Sequence, residues 1–384
     1  MDMADLDANA TTPLDPSVLE AMRPYLEGFH GNPSSIHAGG RAARAAIDSS
    51  REVLADLLGA RPHEIIFTSG GTESCNLAIL GLARAHRSKG NHLVTSPTEH
   101  HAVLHAIEHL QFHEGWEVTL LPVDSDGRVD PGAFEAALRP DTVLASIMHA
   151  NNETGTIQPI PELAATAQEH GVFFHTDAIQ SFGKLPVSAN IPGITAISLA
   201  AHKFYGPKGV GALWLKAGVA LTRTAHGGSQ ENSRRPGTEN TPAIVGLAAA
   251  ASLAESLRES ESARLAPVRD ALWHQLTALG IPLIRNTPLD GSLANTLNIS
   301  IPGCDGESLL MALDLEGIHA SSGSACMVGS LQPSHVLLAM GRGHEASASA
   351  VRFSFGRSNT PDDATAAARA VSIAVSRQNR KHAA

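Results

Sequence analysis

The chain has 384 residues, enough for about two domains at ~100–200 residues each. With 43% hydrophobic and 17% charged residues it can bury a large core, and it is too apolar to be disordered. Its net charge of −10 argues against a protein that binds nucleic acid through bulk positive charge. Three cysteines, an acidic start and the lack of a long apolar run predict free thiols, a cytoplasmic location and no membrane partner.

The first two thirds of the chain alternate short β-rich runs with amphipathic stretches. Helices are predicted at Arg41–Leu58 and Pro161–His170, each followed by a glycine suited to ending a helix, Gly59 and Gly171. Strands separated by helices indicate βαβ units and a mostly parallel sheet. The predicted strands are Ile65–Thr68, His92–Thr95, Val118–Leu121, Val143–Met148, Val172–His175, Ala196–Leu199 and Val210–Leu215.

The pattern changes near residue 250. A stretch rich in alanine, leucine, glutamate and arginine, about 243–280, predicts one or two helices. Beyond it we predict strands at Thr296–Ile301 and Val351–Phe355, a helix at Glu307–Leu315, and a last helix from 361, where Pro361 follows the cap residue Thr360. The expected fold is α/β, with a large domain at 15–255 and a smaller α+β domain formed by 1–14 and 256–384.

Three segments could together bind one cofactor. Lys203 follows an apolar strand, and a partly buried lysine can form a Schiff base; the alternative is a lysine in a surface loop. Asp177 follows a central strand, where it could pair with a protonated pyridine nitrogen or simply cap a helix.

The third segment is Thr68–Ser74. Its glycines, Gly70 and Gly71, lie between a strand and a helix and could form a phosphate cradle, or only an ordinary turn. A Schiff-base lysine, a pyridine partner and a phosphate site are the three requirements of pyridoxal phosphate (PLP). Their joint occurrence predicts that cofactor.

The three cysteines have different surroundings. Cys326 lies among small residues, Ser321-Ser322-Gly323-Ser324-Ala325, which predict an exposed loop and an accessible thiol. Cys304 precedes Asp305, whose charge disfavours a thiolate, and Cys75 is expected to be packed inside a helix.

Four histidines, the histidine stripe, recur at intervals of four residues: His101, His105, His109 and His113. On a helix they would share one face, which could bind a metal. No cysteine or paired carboxylate completes a closed site, so a solvated or subunit-facing surface is the favoured interpretation and no metal is expected. His100, just before the stripe, could instead stack on a planar ring.

Taken in order, these motifs resemble the cysteine desulfurases of the NifS/IscS class, PLP enzymes of aminotransferase class V with PLP fold type I. The resemblance runs almost from end to end of the chain. The matching blocks are Asp7–Pro13, Gly31–Ser35, Thr68–Ser74, Thr98–His100, Asn151–Gly155, Asp177–Gln180, His202–Gly209, Arg235–Asn240, Ser321–Cys326 and Arg352–Ser354.

The resemblance implies a role for individual residues. Lys203 would hold PLP as a Schiff base, Asp177 would pair with the pyridine nitrogen and His100 would stack on the ring. Arg352 would bind the substrate carboxylate and Cys326 would take the sulfur. The other implied cofactor ligands are Gly71, Thr72, Asn152, Gln180, His202 and, from the second subunit of a homodimer, Thr238; Asn32 and Asn152 would line the substrate pocket.

Two positions depart from the family pattern. Many members have a serine phosphate ligand where this chain has Ala200, and often a polar residue where it has Cys75. The departure at Ala200 predicts that the phosphate is held less tightly or by other donors.

The implied reaction converts L-cysteine to L-alanine, with a persulfide on Cys326 that passes to an acceptor protein for iron–sulfur cluster assembly or thiolation. A selenocysteine lyase and a class V aminotransferase are alternatives that share the cofactor. An alternative of another class is a non-catalytic metal-binding or scaffold protein built on the histidine stripe.

Overall fold

A computed structural model describes residues 3–28, 30–322 and 333–382, so the predicted nucleophile Cys326 lies outside the described residues. The strands are β1 Ala4–Asp5, β2 Ile65–Thr68, β3 His92–Thr95, β4 Glu117–Leu120, β5 Thr142–Ser146, β6 Phe173–Asp177, β7 Ile194–Ala200, β8 Gly211–Leu215, β9 Ile284–Arg285, β10 Thr296–Ser300, β11 Ile318–His319 and β12 Ala350–Ser354. The helices are α1 Pro16–Glu27, α2 Ala38–Leu58, α3 Gly71–Ala85, α4 His101–Glu114, α5 Pro131–Ala137, α6 Ile160–Glu169, α7 Gln230–Ser233, α8 Thr241–Thr277, α9 Gly306–Leu315, α10 His335–Ala339, α11 Gly343–Ala348 and α12 Pro361–His382.

The central sheet has seven strands in the order β2-β8-β7-β6-β5-β3-β4. Only β8 runs against its neighbours, so the predicted mostly parallel sheet is confirmed. Strands β2, β3 and β5 to β8 are almost wholly buried, whereas β4 forms a half-exposed edge. Helices on both faces account for this burial, as βαβ crossovers require.

Strand β6 continues past the predicted end at His175 as far as Asp177. The added residues, Thr176 and Asp177, are polar, as is His175 before them. Inside the sheet these side chains find partners: the His175 ring lies 2.8 Å from Ser146 Oγ and 2.9 Å from Ser198 Oγ. Buried polar groups are tolerated where they are hydrogen-bonded, so the strand persists.

A second, antiparallel sheet in the order β12-β10-β9 lies in the C-terminal part, beside a parallel pair of β1 with β11. Its apolar core draws on Leu6 from the chain start, on Leu272 from α8 and on Val371 from α12. Strand β1 pairs with β11, and an isolated bridge from Asp7 to Ser354 places the segment after β1 next to β12.

Helix α8 is a single helix of 37 residues, although its sequence allowed one or two. Its first half packs into the core of the central sheet through Ile244 and Leu247, and its second half packs into the second core through Leu265 and Leu272. The helix therefore links the two cores. The domain boundaries, 15–255 for the large domain and 1–14 plus 256–384 for the small one, stay a prediction.

Within residues 3–28, 30–322 and 333–382, the helices are too short or too polar to cross a membrane.

Candidate active site

Lys203 ends a short turn of 3₁₀ helix, Ala201–Lys203, that leaves β7. Its Nζ donates hydrogen bonds to the carbonyl oxygens of Asn9 at 2.6 Å and Ala10 at 2.8 Å. Two residues on, Tyr205 has φ 68°, an uncommon left-handed conformation for an aromatic residue. The conformation is held because the Tyr205 N–H donates to Thr12 Oγ1 at 2.7 Å. The lysine is therefore half-buried on a constrained turn and faces the N-terminal segment.

Asp177 lies at the carboxyl end of β6, the edge of a parallel sheet where ligands bind. Oδ1 accepts the Ile179 N–H at 2.9 Å, and Oδ2 is 3.6 Å from the Cys75 thiol. Residues 178–183 form turns, so Asp177 does not cap a helix. Burial raises the pKa of Asp177 to about 6, although its hydrogen bonds and the nearby Lys203 oppose the rise. The carboxylate is thus poised to gain from a cationic partner.

Cys75 is fully buried in α3, which confirms the expectation that it is packed. Burial, and secondly the negative charge of Asp177, raise the pKa of its thiol. Burial also raises the pKa of the partly buried Cys304, with a further contribution from Asp305. Neither environment favours a reactive thiolate.

The glycine pair forms a turn into the start of α3. Gly70 has φ 152°, and a Cβ on Gly71 would lie 2.2 Å from Ile179 Cδ1 and 3.3 Å from Ala200 Cβ, so a side chain there would have to displace Ile179. Among the residues that the structure describes, no side chain caps this helix. Its first backbone N–H groups are therefore left for an external anion, the arrangement that helix N-termini use to bind phosphate.

His100 precedes α4 and caps it, because its Nδ1 accepts the Ala102 N–H at 3.1 Å. Burial and then the charge of Lys203 lower the pKa of His100 to about 4. The ring is therefore neutral near pH 7, with its proton on Nε2. His100 and Thr72 line the same surface cleft, which places an aromatic ring beside the start of α3.

His202 lies beside Lys203, and its Nδ1 is 3.2 Å from Thr11 Oγ1. Burial and the charge of Lys203 lower the pKa of His202 to about 4. Like His100, it is a neutral imidazole near pH 7 and can donate a hydrogen bond without adding charge.

Arg352 is 2% exposed and belongs to β12 of the second sheet. Its Nη2 forms an ion pair with Asp7 Oδ1 at 2.7 Å, and its Nη1 donates to the Asn152 carbonyl at 2.9 Å. Its Nε is buried and has no hydrogen-bond partner among residues 3–28, 30–322 and 333–382. The guanidinium thus crosses from the second sheet to a loop of the central-sheet region.

Gln180 is buried, and its Nε2 donates to the Asn9 carbonyl at 2.8 Å. Lys184 donates to the Gln180 backbone carbonyl at 2.9 Å and to Oε1 at 3.2 Å, which fixes the orientation of the amide. Burial lowers the pKa of Lys184 to about 7, although part of its side chain borders a cavity that Lys203 also lines. Lys184 was not among the predicted site residues, and its signal in the sequence is its position four residues after Gln180.

Two predicted residues are exposed in the single chain. Asn32 lies apart from the group, and its Oδ1 accepts the N–H of Ser34 in a local turn. Thr238 lines a cavity together with Thr68 and Ser69, the two residues that precede the glycine turn. The role of Thr238 toward a second subunit stays a prediction, and its exposed position is compatible with that role.

The histidine stripe lies on α4, with ring centroids 4.9 Å apart for His101 and His105 and 5.0 Å apart for His109 and His113. The side chains of His105 and His109 are 67% and 48% exposed. In the described part of the chain, no group of three histidine, cysteine or acidic side chains is arranged to hold a metal ion. The stripe therefore has the geometry of a surface feature.

The sequence matches the family described as aminotransferase class-V over residues 5–366. It is 49% identical to a cysteine desulfurase IscS of Dictyoglomus turgidum, over 93% of this chain and 91% of that protein. A putative cysteine desulfurase IscS 1 of Bacillus subtilis is 44% identical, over 98% of this chain and 100% of its own length.

A solved structure of a NifS-like protein superimposes with a TM-score of 0.91 and 36% identity, over 97% of this chain and 99% of that one. The chain therefore belongs to the aminotransferase class-V family, in its branch of cysteine desulfurases of the NifS/IscS class. The predicted resemblance and PLP fold type I are confirmed, and PLP is the cofactor of this family and of this chain.

The residues present fit that cofactor. The side-chain-free turn at Gly70 and Gly71 suits a phosphate, and the buried carboxylate of Asp177 suits a ring nitrogen that carries a proton. Lys203 supplies the amine on the same edge of the sheet.

Proposed function

We propose that this chain is a PLP-dependent cysteine desulfurase that converts L-cysteine to L-alanine and passes the sulfur, through a persulfide on Cys326, to an acceptor protein. One observation supports the proposal: the residues assigned to the cofactor and to the substrate lie in the same region. Lys203, Asp177 and the glycine turn meet at one edge of the central sheet, and Arg352 reaches the same region from the second sheet. A buried arginine there suits an amino-acid carboxylate.

In this proposal the cofactor is held by residues of the central-sheet region. Asp177 pairs with the ring nitrogen, the neutral ring of His100 stacks on the ring face, and Gln180 directs an N–H toward the ring oxygen. The phosphate is bound at the start of α3 by Gly71 and Thr72, with His202, and by Thr238 from the second subunit of a homodimer. When bound, PLP supplies an electron sink for the bonds of the substrate.

Lys203 has two tasks in this proposal: it binds the cofactor and then moves a proton. Once an incoming amine has replaced it, its free amine can accept the Cα proton of the substrate. The carbonyl oxygens of Asn9 and Ala10, which accept from Nζ, would keep the released amine close to the substrate.

The substrate carboxylate binds Arg352, and Asn152 and Asn32 border its pocket. Asn152 is already tied to Arg352 through its carbonyl oxygen. A bidentate arginine–carboxylate pair fixes the orientation of the substrate as well as its affinity.

Cys326 acts as the nucleophile. Its thiolate attacks the sulfur of the substrate and forms an S–S bond, while the Cβ–S bond breaks and leaves its electron pair on the carbon skeleton. Protonation of that carbon gives L-alanine, and a persulfide remains on Cys326.

The described flanks of residues 323–332 support this assignment. Before that segment, the Ser321 N–H donates to the Arg352 carbonyl at 3.2 Å; after it, the His335 Nε2 lies 2.9 Å from the Glu99 carbonyl. Both flanks are thus attached beside the residues assigned to substrate and cofactor. The acceptor that then takes the sulfur serves iron–sulfur cluster assembly or thiolation. Cys75 and Cys304 are free thiols, in keeping with a reducing cytoplasmic setting.

The proposal is tested with Cys326→Ala, using Cys304→Ala as the matched control. Cys326→Ala should keep the absorbance of lysine-bound PLP and still respond to L-cysteine, but its release of L-alanine should fall by at least about 100-fold, because no thiolate captures the sulfur. Cys304→Ala should keep wild-type turnover. Turnover of L-cysteine by Cys326→Ala at the wild-type rate would overturn the mechanism, and turnover of selenocysteine alone would favour a lyase.

A further inference from the structure

The charge of Arg352 is balanced within the protein itself. At 2% exposure the guanidinium has almost no contact with water, and Asp7 accepts from its Nη2 at 2.7 Å. Within the described part of the chain, Asp7 is the carboxylate that forms an ion pair with Arg352. Asp7 belongs to the N-terminal segment, and its backbone bridges to Ser354 on the same strand as Arg352. The ion pair therefore joins the segment that follows β1 to strand β12.

The other neighbours of Arg352 do not replace this carboxylate. Asn152 offers a neutral carbonyl oxygen to Nη1. Glu153 also senses the arginine, but burial raises the pKa of Glu153 above its usual range, and its Oε2 accepts from the Ser334 hydroxyl. Lys184 is a nearby positive charge. The balance of charge at Arg352 thus depends on Asp7.

We propose that Asp7 acts as an internal substitute for the substrate carboxylate on Arg352 and thereby sets the affinity of the site for amino-acid carboxylates. This inference rests on the proposed role of Arg352. A carboxylate that enters the site must either displace Asp7 or bind beside it, where Nε is a donor that has no partner within the described part of the chain. Both routes make binding weaker than at an unpaired arginine, because the buried cation already has its counter-ion.

The geometry suits such an exchange. Arg352 keeps its position without Asp7, because its backbone pairs with Asn298 in β10 and with Ser321, and its Nη1 is held by Asn152. Asp7, by contrast, is 26% exposed, so its carboxylate can turn toward water when a ligand arrives. The Arg352 guanidinium is therefore fixed in place, whereas the Asp7 carboxylate can be replaced by the carboxylate of a ligand.

The test measures binding of L-alanine to the holoenzyme from the change in PLP absorbance, with L-alaninamide as the ligand that lacks a carboxylate. Asp7→Asn keeps the shape and an acceptor oxygen but removes the charge. Its dissociation constant for L-alanine should fall by about three- to tenfold, because an uncompensated arginine attracts a carboxylate more strongly. Its dissociation constant for L-alaninamide should change by less than about twofold, since that ligand brings no carboxylate to the arginine.

Three further variants make the result decisive. Asp314→Asn removes a charge from a 71% exposed side chain and should leave both affinities unchanged. Asp7→Ser replaces Asp7→Asn should the latter fail to fold, and the same tightening is expected. Arg352→Gln should weaken binding of L-alanine by about ten- to a hundredfold and spare L-alaninamide.

The outcomes separate this inference from the proposed function. If Asp7→Asn and Asp7→Ser leave L-alanine binding unchanged or weaker while Arg352→Gln weakens it, Asp7 is not a competitor and the substrate role of Arg352 stands. If Arg352→Gln changes neither affinity, the arginine does not bind the substrate carboxylate, and both assignments fail.

Discussion

The residues assigned to the cofactor and the arginine assigned to the substrate occupy the same region but belong to different cores. Asp177 and Cys75 belong to the central sheet and to a helix packed on it, and they contact each other there. Arg352 belongs to the second sheet, with its counter-ion on the N-terminal segment. We call the first group the cofactor half of the site and the second group the substrate half. The cofactor half is formed by the central sheet and a helix packed on it, whereas the substrate half joins the second sheet to the N-terminal segment.

Charge is controlled differently in the two halves. In the cofactor half, burial dominates: it raises the pKa of Asp177 to about 6 and lowers that of His100 to about 4. In the substrate half, an ion pair dominates, since Arg352 remains charged beside Asp7. Changes in the first half should therefore alter cofactor binding, and changes in the second half should alter substrate affinity.

Lys203 ends the turn that leaves β7 of the central sheet, and it donates to carbonyl oxygens of the N-terminal segment. Because it links the two halves, its loss should lower turnover more than any other substitution. Lys203→Ala removes the amine that we assign to cofactor attachment and proton transfer. Turnover of L-cysteine should fall by at least about 10²–10⁴-fold, the usual contribution of a positioned acid–base group. An alanine-release assay and the absorbance of lysine-bound PLP measure the two losses. Lys216→Ala, which changes an exposed lysine, is the control. An unchanged spectrum and turnover in Lys203→Ala would show that Lys203 does not belong to the site.

Asp177→Asn should weaken cofactor binding much more than substrate binding. The affinity of the cofactor-free protein for PLP should fall by about ten- to a hundredfold, because a charge-assisted hydrogen bond is worth roughly 1.5–3 kcal/mol. Binding of L-alanine by the PLP-saturated variant should change far less. A fluorescence titration with PLP measures the first quantity, and a spectral titration with L-alanine measures the second. An unchanged PLP affinity would show that Asp177 does not face the ring nitrogen.

The same carboxyl group predicts a pH dependence. Burial raises the pKa of Asp177 from 3.8 to about 6. As the pH falls, Asp177 therefore gains its proton at a higher pH in the folded protein than in the unfolded chain. Its ionisation therefore destabilises the cofactor-free fold as the pH rises from about 4 to 6, and the destabilisation persists above pH 6. Asp177→Asn should thus unfold at a higher temperature than the wild type at pH 7, and the difference should shrink toward pH 4. A difference that grows toward pH 4 would contradict the sign of this argument.

How much the sequence could reveal differs between the two halves as well. Strands β2 and β3 were predicted with their observed bounds, because apolar runs and neighbouring glycines are local signals. Lys203 and Asp177 were proposed as site residues from the same kind of local signal, since each follows a predicted strand in the sequence. The pair of Asp7 with Arg352 joins residues that are 345 positions apart, and no local pattern reports such a contact. The contact of Cys75 with Asp177 was missed for the same reason: it depends on how α3 packs against β6.

The smallest effect is expected at the histidine stripe. Helix α4 begins next to His100, whose partly buried ring caps it, whereas the later residues His105 and His109 are exposed on the same helix. Replacement of His105 and His109 together with glutamine should therefore change desulfurase turnover by less than about twofold, as surface substitutions usually do. His100→Gln is the contrasting variant, and it should weaken PLP binding because it removes an aromatic ring from the cleft beside Thr72. Turnover and PLP affinity measured for both variants decide the matter. A large loss in the double variant, or a wild-type activity that zinc restores after chelation, would place a metal on the stripe; equal effects of the two variants would mean that His100 does not belong to the cofactor half.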